Sequence, residues 1–270
     1  NPPFNHENQT MKANKLAALI VTTYISFSST AHASAPQPVF SPEQEARIGE
    51  IAADYLVSHP EILVTVSNKL QEQQETRKQK MFALNVMENQ ANLLHDPDTP
   101  AYGPDTAKVA VIEFFDYQCV FCSRFAPELE KVMKAQPDVR YLFKEWPIFG
   151  GRWEASLQAA QQGLTVWQQK GPQAYVTYHN AIYATGHNEG KLTAEDILAA
   201  ASKAGLAASV PGDHTASLEK NSNLAEELGL TGTPGIVVMP VSGATPDTIT
   251  VFPEAVTADR LQAAIRKASR

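Results

Sequence analysis

The sequence predicts an α/β domain that follows an all-helical N-terminal arm. Apolar residues recur at helical spacing through residues 34–94, and no strand pattern occurs among them. From residue 107 onward, strand-like and helical segments follow in the order β-α-β, a block of helices, and then α-β-β-α. A turn-rich stretch at residues 95–106 separates the two regions. This arrangement is typical of a sheet covered by helices.

Two segments at the start of the chain are predicted to lie outside the folded protein. Residues 1–10 precede the first methionine and are interpreted as upstream or added sequence. Residues 11–33 combine a short basic stretch, an apolar core and the small-residue site Ala31-His32-Ala33, which is the layout of a secretory signal peptide. The apolar core of about a dozen residues is too short to span a bilayer. We therefore expect export, with cleavage near Ala33.

The arm at residues 34–94 is predicted to contain consecutive helices. Ser41 is a good N-cap, Pro42 suits the first helical position, and Gln44 can complete a capping box. The dipeptide His59-Pro60 is expected to end this helix and begin the next. Residues 71–80 are polar around the whole helix circumference. This is typical of a helix that is surrounded by solvent and connects two packed regions.

The arm helices carry an apolar stripe that they cannot bury by themselves. Its members recur at helical spacing and are Ile48, Ile51, Ala52, Tyr55, Leu56, Ile62, Leu63, Val66 and Leu70. Because such a stripe needs a partner surface, the arm is expected to pack on the following domain or on a second copy of the chain. A homo-oligomer is therefore predicted, with a dimer favoured.

The domain at residues 107–270 is predicted to contain four strands. They cover residues 109–115, 139–143, 235–239 and 248–252. Predicted helices cover residues 119–135, 218–228 and 258–268, and a helical insertion occupies about residues 152–210. This order of elements fits a thioredoxin fold with a helical insertion.

Charge and cysteine content narrow the possible functions. The formal net charge of −7 argues against nucleic acid as a partner. The sequence has two cysteines, Cys119 and Cys122, spaced C-x-x-C. A disulfide-stapled secreted scaffold needs more cysteines at wider spacing, and a tetrahedral zinc site needs two further ligands that the sequence does not offer. The pair is therefore interpreted as redox-active, with no cofactor and no bound metal expected.

The position of the pair suits disulfide exchange. Cys119 follows a predicted buried strand and begins a predicted helix, where free N–H groups and the helix dipole favour the thiolate. Thiolate is the attacking species, so Cys119 is the predicted nucleophile. Cys122, one turn into the helix, is the predicted resolving thiol. A structural disulfide with a very short loop and a metal clip are the alternatives.

Three motifs resemble the bacterial DsbA-like family of thioredoxin-fold thiol–disulfide oxidoreductases. Residues 111–122 resemble the family's active-site strand and the start of its active-site helix. Their sequence is Val111-Ile112-Glu113-Phe114-Phe115-Asp116-Tyr117-Gln118-Cys119-Val120-Phe121-Cys122. Ala126-Pro127 resembles its helix-kinking proline, and Gly232-Thr233-Pro234 resembles its cis-proline loop. The arm, with LVSHPEIL at residues 56–63, is most similar to that of periplasmic disulfide isomerases with an oligomerisation arm, of the plasmid-borne and copper-sensitivity-suppressor types.

The resemblance implies roles for individual residues. Pro234 should follow a cis peptide bond after Thr233, and these two residues, with Val120 and Phe121, should contact the protein substrate. Without the family, Gly232 to Gly235 would be read only as a turn. Glu113 should lie beneath the cysteines, pair with Lys144 and exchange protons with a thiol. The alternative is that Lys144 and Glu145 are solvated surface charges.

The resemblance also implies a periplasmic location and misfolded or reduced exported proteins as substrates. Isomerase or reductase action is favoured because Val120-Phe121 lacks the Pro-His of strongly oxidising members, because Thr233 resembles isomerases, and because the arm suggests several sites per assembly. A membrane redox partner would then keep Cys119 reduced. The alternatives are a DsbA-like dithiol oxidase and, from another class, a copper-handling periplasmic binding protein, since soft thiolates suit Cu(I).

Overall fold

The computed structural model of the protein describes residues 39–207 and 210–270. The predicted upstream segment and signal peptide lie outside the described residues. The chain divides after Ile62, and Leu63–Arg270 forms one compact unit. None of the helices in the described ranges combines the length and the apolar character that crossing a bilayer requires.

The described residues form both helices and strands, as an α/β protein requires. The helices are α1 Pro42–Ser58, α2 Glu61–Glu88, α3 Gln90–Leu94, α4 Val120–Ala135, α5 Glu154–Lys170, α6 Pro172–Ala184, α7 Ala194–Lys203, α8 Thr215–Leu228 and α9 Ala258–Ala268. The strands are β1 Ala101–Tyr102, β2 Val109–Phe115, β3 Arg140–Glu145, β4 Gly235–Pro240 and β5 Thr250–Phe252. The predicted thioredoxin fold is confirmed, with α5, α6 and α7 as its helical insertion.

The sheet is centred on β2. Its strand order is β1-β3-β2-β4-β5, with β2 and β3 parallel and the other pairs antiparallel. All seven residues of β2 are buried, because helices cover both faces of the sheet. In the register of β2 and β3, Glu113 lies opposite Phe143 and Phe114 lies opposite Lys144. Since side chains alternate between faces, Glu113 and Lys144 belong to opposite faces of the sheet.

Each face of the sheet has its own apolar core. One core contains Val111, Phe115 and the cysteines together with residues of α4, α6 and α9. The other contains Ile112 and Phe114 together with residues of α8 and the second half of α2. Both cysteines therefore lie on the face that the helical insertion covers.

The predicted boundary at residues 95–106 is wrong. Phe82, Val86 and Leu93 are 5%, 0% and 0% exposed and belong to the core of the domain. Residues 101–102 form β1, which pairs with β3. The prolines and aspartates of this segment indicate turns, and a two-residue strand is too short to produce an alternating pattern, so the sequence predicts a linker here. The structure instead divides the chain after Ile62.

The helices of the arm begin and end where the sequence predicts. Ser41 caps α1 with both bonds of a capping box to Gln44, and α1 ends at Ser58. No residue of α1 is buried in the chain. Its apolar side chains are therefore exposed, with Ile51 at 53% and Tyr55 at 54%. In the first half of α2, Leu63, Val66 and Leu70 are exposed as well.

Gln79 departs from the prediction that residues 71–80 face solvent throughout. Its side-chain amide donates to the carbonyl oxygen of Val251 at 2.9 Å and accepts from the Val251 N–H at 3.4 Å. Val251 belongs to β5, which is an edge strand of the sheet. The polar segment of α2 thus satisfies backbone groups that an edge strand would otherwise leave open.

Candidate active site

The end of β2 and the start of α4 hold the two cysteines. Cys119 is the N-cap of α4, and its sulfur accepts a hydrogen bond from the Cys122 N–H at 3.3 Å. Both are free thiols, 3% and 0% exposed respectively. Asp116 fixes the preceding turn, because its carboxylate accepts from the Gln118 N–H at 2.7 Å and the Ser156 hydroxyl at 2.6 Å. The CxxC motif therefore sits on a rigid support.

The two thiols differ in acidity. A hydrogen bond from Cys122 lowers the pKa of Cys119 to about 6, and the Thr233 hydroxyl lowers it as well, against the opposing effect of burial. Burial raises the pKa of the Cys122 thiol well above its ordinary value, and its contact with Cys119 acts in the same direction. Cys119 is thus largely thiolate at neutral pH whereas Cys122 keeps its proton, which suits a nucleophile and a resolving thiol.

The loop before β4 faces the Cys119 sulfur. The peptide bond between Thr233 and Pro234 is cis, as the family resemblance implies. In the thiol form, Cys119 donates to the Thr233 carbonyl oxygen at 3.3 Å. In the described part of the chain the Thr233 hydroxyl has no other hydrogen-bond partner, so it is available to the sulfur when the thiolate forms.

The residues between the cysteines present an apolar surface to solvent. Phe121 is 54% exposed, and the Arg124 guanidinium lies 5.5 Å from the centre of its ring. Val120 is half-buried. A large exposed aromatic ring beside the reactive sulfur is suited to contact an unfolded polypeptide.

The predicted pairing of Glu113 with Lys144 is wrong. The Lys144 ammonium donates to Thr99 Oγ1 at 2.6 Å, to the Asn92 carbonyl oxygen at 3.0 Å and to Asp96 Oδ2 at 3.1 Å. All of these partners precede β2 and lie on the face of the sheet away from the cysteines. The alternative of a solvated surface charge is also wrong, because Lys144 is fully buried. Lys144 therefore ties the segment before β1 to β3 and does not reach the dithiol.

Glu113 interacts electrostatically with both cysteines but lacks the expected cation. It is 1% exposed, and neither carboxyl oxygen has a hydrogen-bond partner in the described part of the chain. Burial raises the pKa of Glu113 to about 8, and the charge of Cys119 adds to this effect. The nearest basic group is His179, whose Nε2 lies 3.9 Å from Glu113 Oε2.

Two buried polar side chains, His179 of the helical insertion and Glu145 of β3, are not among the predicted site residues. No motif marks His179 on α6 in the sequence, yet it is 1% exposed and its Nε2 has no hydrogen-bond partner in the described residues. Glu145 is also buried and accepts from Tyr117 at 3.0 Å and Tyr175 at 2.6 Å. The spacing of Tyr175, His179 and Tyr183 could have signalled this, because residues four apart share one helix face.

These features define a thiol–disulfide oxidoreductase. A reactive cysteine begins a helix beside a cis-proline loop, and a second thiol and a buried carboxyl lie beneath it. Among the described residues, no group of three or more His, Cys, Asp or Glu side chains is placed to hold a metal ion.

Family models and solved structures agree with this class. Residues 95–265 match the model described as thioredoxin, so the chain belongs to the thioredoxin family. Residues 44–77 match the model described as the copper resistance protein ScsC N-terminal domain. No curated protein matches the sequence.

Three solved structures illustrate the likeness. BcfH of Salmonella enterica Typhimurium is 38% identical with a TM-score of 0.71, covering 84% of this chain and 97% of its own. The catalytic domain of Proteus mirabilis ScsC is 27% identical with a TM-score of 0.59, covering 70% of this chain and 99% of its own. A periplasmic thioredoxin-like protein from Salmonella enterica serovar Typhimurium is 28% identical with a TM-score of 0.56. The match covers 67% of this chain and 95% of that protein.

Replacing Thr233 by valine should make the Cys119 thiol less acidic. The change removes the hydroxyl that favours the thiolate and keeps the shape of the side chain. A lost hydrogen bond of about 0.5–1.5 kcal/mol corresponds to a roughly 2- to 10-fold smaller thiolate fraction below the pKa. Alkylation by iodoacetamide at pH 5.5 should slow by that factor. Thr231→Val changes an exposed threonine two residues away and is the matched control; an equal loss in both variants would contradict the assignment.

Proposed function

We propose that the protein is a periplasmic disulfide isomerase and reductase that acts on exported proteins. The observation that carries this proposal is the Cys119 sulfur, which lies at a helix N-terminus 3.3 Å from the Thr233 carbonyl oxygen and has a pKa near 6. A thiolate at neutral pH is the species that attacks a mispaired disulfide. The exposed Phe121 ring beside it offers an apolar contact for unfolded chain.

The exchange proceeds through a mixed disulfide. The Cys119 thiolate attacks one sulfur of a substrate disulfide, and the other substrate sulfur leaves as a thiolate with the electron pair. For isomerisation, a substrate thiolate then attacks the mixed disulfide and regenerates the Cys119 thiolate. For reduction, Cys122 attacks Cys119, forming the Cys119–Cys122 disulfide and releasing the second substrate thiolate. A membrane redox partner would return the oxidised pair to dithiol.

Recovery of activity from scrambled ribonuclease tests the proposal. The reduced protein, present in small amount with a thiol buffer, should restore activity, and Cys119→Ala should restore none beyond the buffer alone. Failure to reactivate the scrambled enzyme, together with rapid oxidation of reduced ribonuclease by the disulfide form, would instead establish an oxidase.

Oxidase action is a second candidate because of one observation. The pKa of Cys119, lowered to about 6 first by the hydrogen bond from Cys122, means that the reduced form is stabilised. Stabilising the thiolate makes the corresponding disulfide more oxidising. The reduction potential of the Cys119–Cys122 pair, measured against glutathione, separates the two candidates.

Copper handling is a candidate of another class, and the match to a model named for copper resistance favours it. Two thiolates can bind Cu(I). Stoichiometric Cu(I) binding that abolishes turnover would support this candidate. Substoichiometric binding with unchanged turnover would exclude it.

We propose that the arm assembles the chain into an oligomer, with a dimer favoured. The exposed apolar side chains of α1 support this, because a row such as Ile48, Ile51 and Tyr55 is stable in water only when it is covered. The match of residues 44–77 to the ScsC N-terminal domain lends further support. Several active sites around one substrate would favour isomerisation over single reductions.

A chain that begins at Lys78 should be a monomer that reduces disulfides but isomerises poorly. It lacks the matched arm segment and keeps Gln79 and the buried Phe82, whereas a chain beginning near residue 100 would lose core residues and unfold. Light scattering of the full and shortened chains measures the mass, and scrambled ribonuclease measures isomerisation. A full-length monomer, or a shortened chain with full isomerase activity, would contradict the arm's proposed role.

A further inference from the structure

We infer that His179 on α6 is the positioning residue that lets Glu113 accept the proton of Cys122 when the mixed disulfide is resolved. The inference deepens the proposed exchange function and rests on it. It assigns a role in proton transfer to the helical insertion. The proposed role of His179 is indirect, because it acts on Glu113 and not on the sulfur atoms.

Two unsatisfied atoms face each other in the buried core. Glu113 Oε2 and His179 Nε2 are 3.9 Å apart, and both side chains are 1% exposed. Neither atom has a hydrogen-bond partner in the described part of the chain. Buried polar atoms without partners cost free energy, so a closer approach that places a proton between them is favoured. An approach of about 1 Å gives an ordinary hydrogen-bond distance.

Asn180 sets the tautomer of the imidazole. Its side-chain oxygen lies 3.0 Å from His179 Nδ1 and can only accept, so Nδ1 carries the hydrogen. Nε2 therefore presents its lone pair to the Glu113 carboxyl group. The neighbouring amide thus prepares the ring to take a proton from Glu113 and not to donate one.

Aromatic rings surround the imidazole. The ring centres of Tyr183, Phe115 and Phe143 lie 4.9, 5.0 and 5.1 Å from that of His179. Ring faces are negative and can stabilise an imidazolium that forms briefly. The titratable groups on the elements packed around it are Glu113, Asp116, Tyr117, Cys119, Cys122, Glu145, Tyr175, Tyr178 and Tyr183.

Glu113 needs such a partner because it is protonated at neutral pH. Burial raises the pKa of Glu113 to about 8, so the carboxyl group alone has little capacity to accept a thiol proton at pH 7. Burial lowers the pKa of His179 to about 4, so the ring is neutral and has an empty site. With these pKa values the proton rests on Glu113, so it passes to His179 only as the carboxyl group receives another proton.

The step balances in protons and electrons. As the Cys122 thiol gives its proton to one oxygen of the Glu113 carboxyl group, Glu113 passes the proton on its other oxygen to His179 Nε2. The Cys122 thiolate attacks the Cys119 sulfur of the mixed disulfide, the Cys119–Cys122 bond forms, and the substrate sulfur leaves with the electron pair. The imidazolium then loses its proton to water. Asn180 borders a surface hollow of about 250 Å³, so the ring lies one residue from solvent.

Reaction with dithiobis-nitrobenzoate separates the two chemical steps. Attack by Cys119 releases one coloured thiolate, and resolution by Cys122 releases the second. In His179→Gln, whose amide can hydrogen-bond to Glu113 but cannot take its proton, the second release should slow about 10-fold or more at pH 7. The first release should change less than about 2-fold. The variant's second release should also rise steeply between pH 6 and 8, whereas that of the natural protein should be nearly flat.

His214→Gln is the matched control, because His214 is also buried but bonds to Thr165 on α5, in a different part of the domain. Equal slowing of both releases in His179→Gln, or an unchanged second release and pH profile, would overturn the inference. Absence of the first release in the natural protein would instead refute the proposed function. Nitrogen-15 NMR of the natural protein requires no variant: an Nδ1–H tautomer is expected for His179, and an Nε2–H tautomer would also overturn the inference.

Discussion

Replacing Cys119 by serine should abolish disulfide exchange, lowering the rate more than about 1,000-fold. Cys119 is the thiol with the lowered pKa, whereas burial raises that of Cys122 well above its ordinary range. A serine hydroxyl is hardly ionised near neutral pH and does not attack disulfides at a useful rate. The rate of ribonuclease reactivation and the first release of thiolate from dithiobis-nitrobenzoate measure this loss. Comparable activity in Cys119→Ser would show that another thiol attacks, and would refute the assignment.

The matched change at Cys122 should have a different outcome. Cys122→Ser leaves the attacking thiolate in place and removes the group that resolves the mixed disulfide. Covalent complexes with substrate proteins should therefore accumulate, and they should be visible on non-reducing gels and disappear with a reductant. Isomerisation that proceeds by attack of the substrate's own thiolates should persist in part, whereas net reduction should stop. Trapped complexes in Cys119→Ser and not in Cys122→Ser would reverse the two roles.

Replacing Lys144 by methionine should destabilise the domain by about 3 kcal/mol, because it leaves Asp96 and the Thr99 hydroxyl without a buried partner. Lys144 and Asp96 have side chains that are 0% and 4% exposed. A loss of this size corresponds to a melting temperature that is lower by roughly 6–12 °C in a unit of about 200 residues. The rate of thiolate release from dithiobis-nitrobenzoate should stay unchanged in the folded variant. A normal melting temperature with slowed exchange would restore Lys144 to the active site.

Lys220 provides the control, because it also bonds to Asp96 but is 45% exposed. Lys220→Met should cost about 1 kcal/mol or less. Burial raises the pKa of Asp96, but Lys220 and Lys144 outweigh this effect and hold the pKa at about 2, below the ordinary 3.8. Because the pKa of Asp96 is lower in the folded state than in the unfolded state, the ionised carboxylate stabilises the fold above pH 4. This stabilisation is lost as the pH falls toward 2. Between pH 4 and pH 2, Lys144→Met should therefore lose less stability than the natural protein does.

The order of elements in the domain could be predicted because each element has a strong local signal. Strand β2 and helix α9 have the predicted bounds, and the capping box at Ser41 marks the start of α1. The cysteine pair was found because its spacing and its position after a buried strand are both local features. These signals depend on residues that are close in sequence, so a single chain suffices to detect them.

Contacts between distant segments could not be predicted in the same way. Glu113 does not pair with Lys144 because their side chains point to opposite faces of the sheet. Which residues of β2 and β3 share a face depends on the strand register, and the sequence does not specify that register. His179 lies 66 residues after Glu113 and reaches it only because α6 packs over this face of the sheet. The true partner of Glu113 therefore depends on how the helical insertion docks.

The amide of Gln79 closes the edge of β5 from within the domain itself. An open edge strand is a template on which another extended chain can be added, and the proposed function would bring such chains to the domain. Because Gln79 bonds to the backbone of Val251 at this edge, we expect it to disfavour the addition of an extended chain there. Variants shortened for display or crystallisation should therefore retain this glutamine, even when the rest of the polar segment is removed.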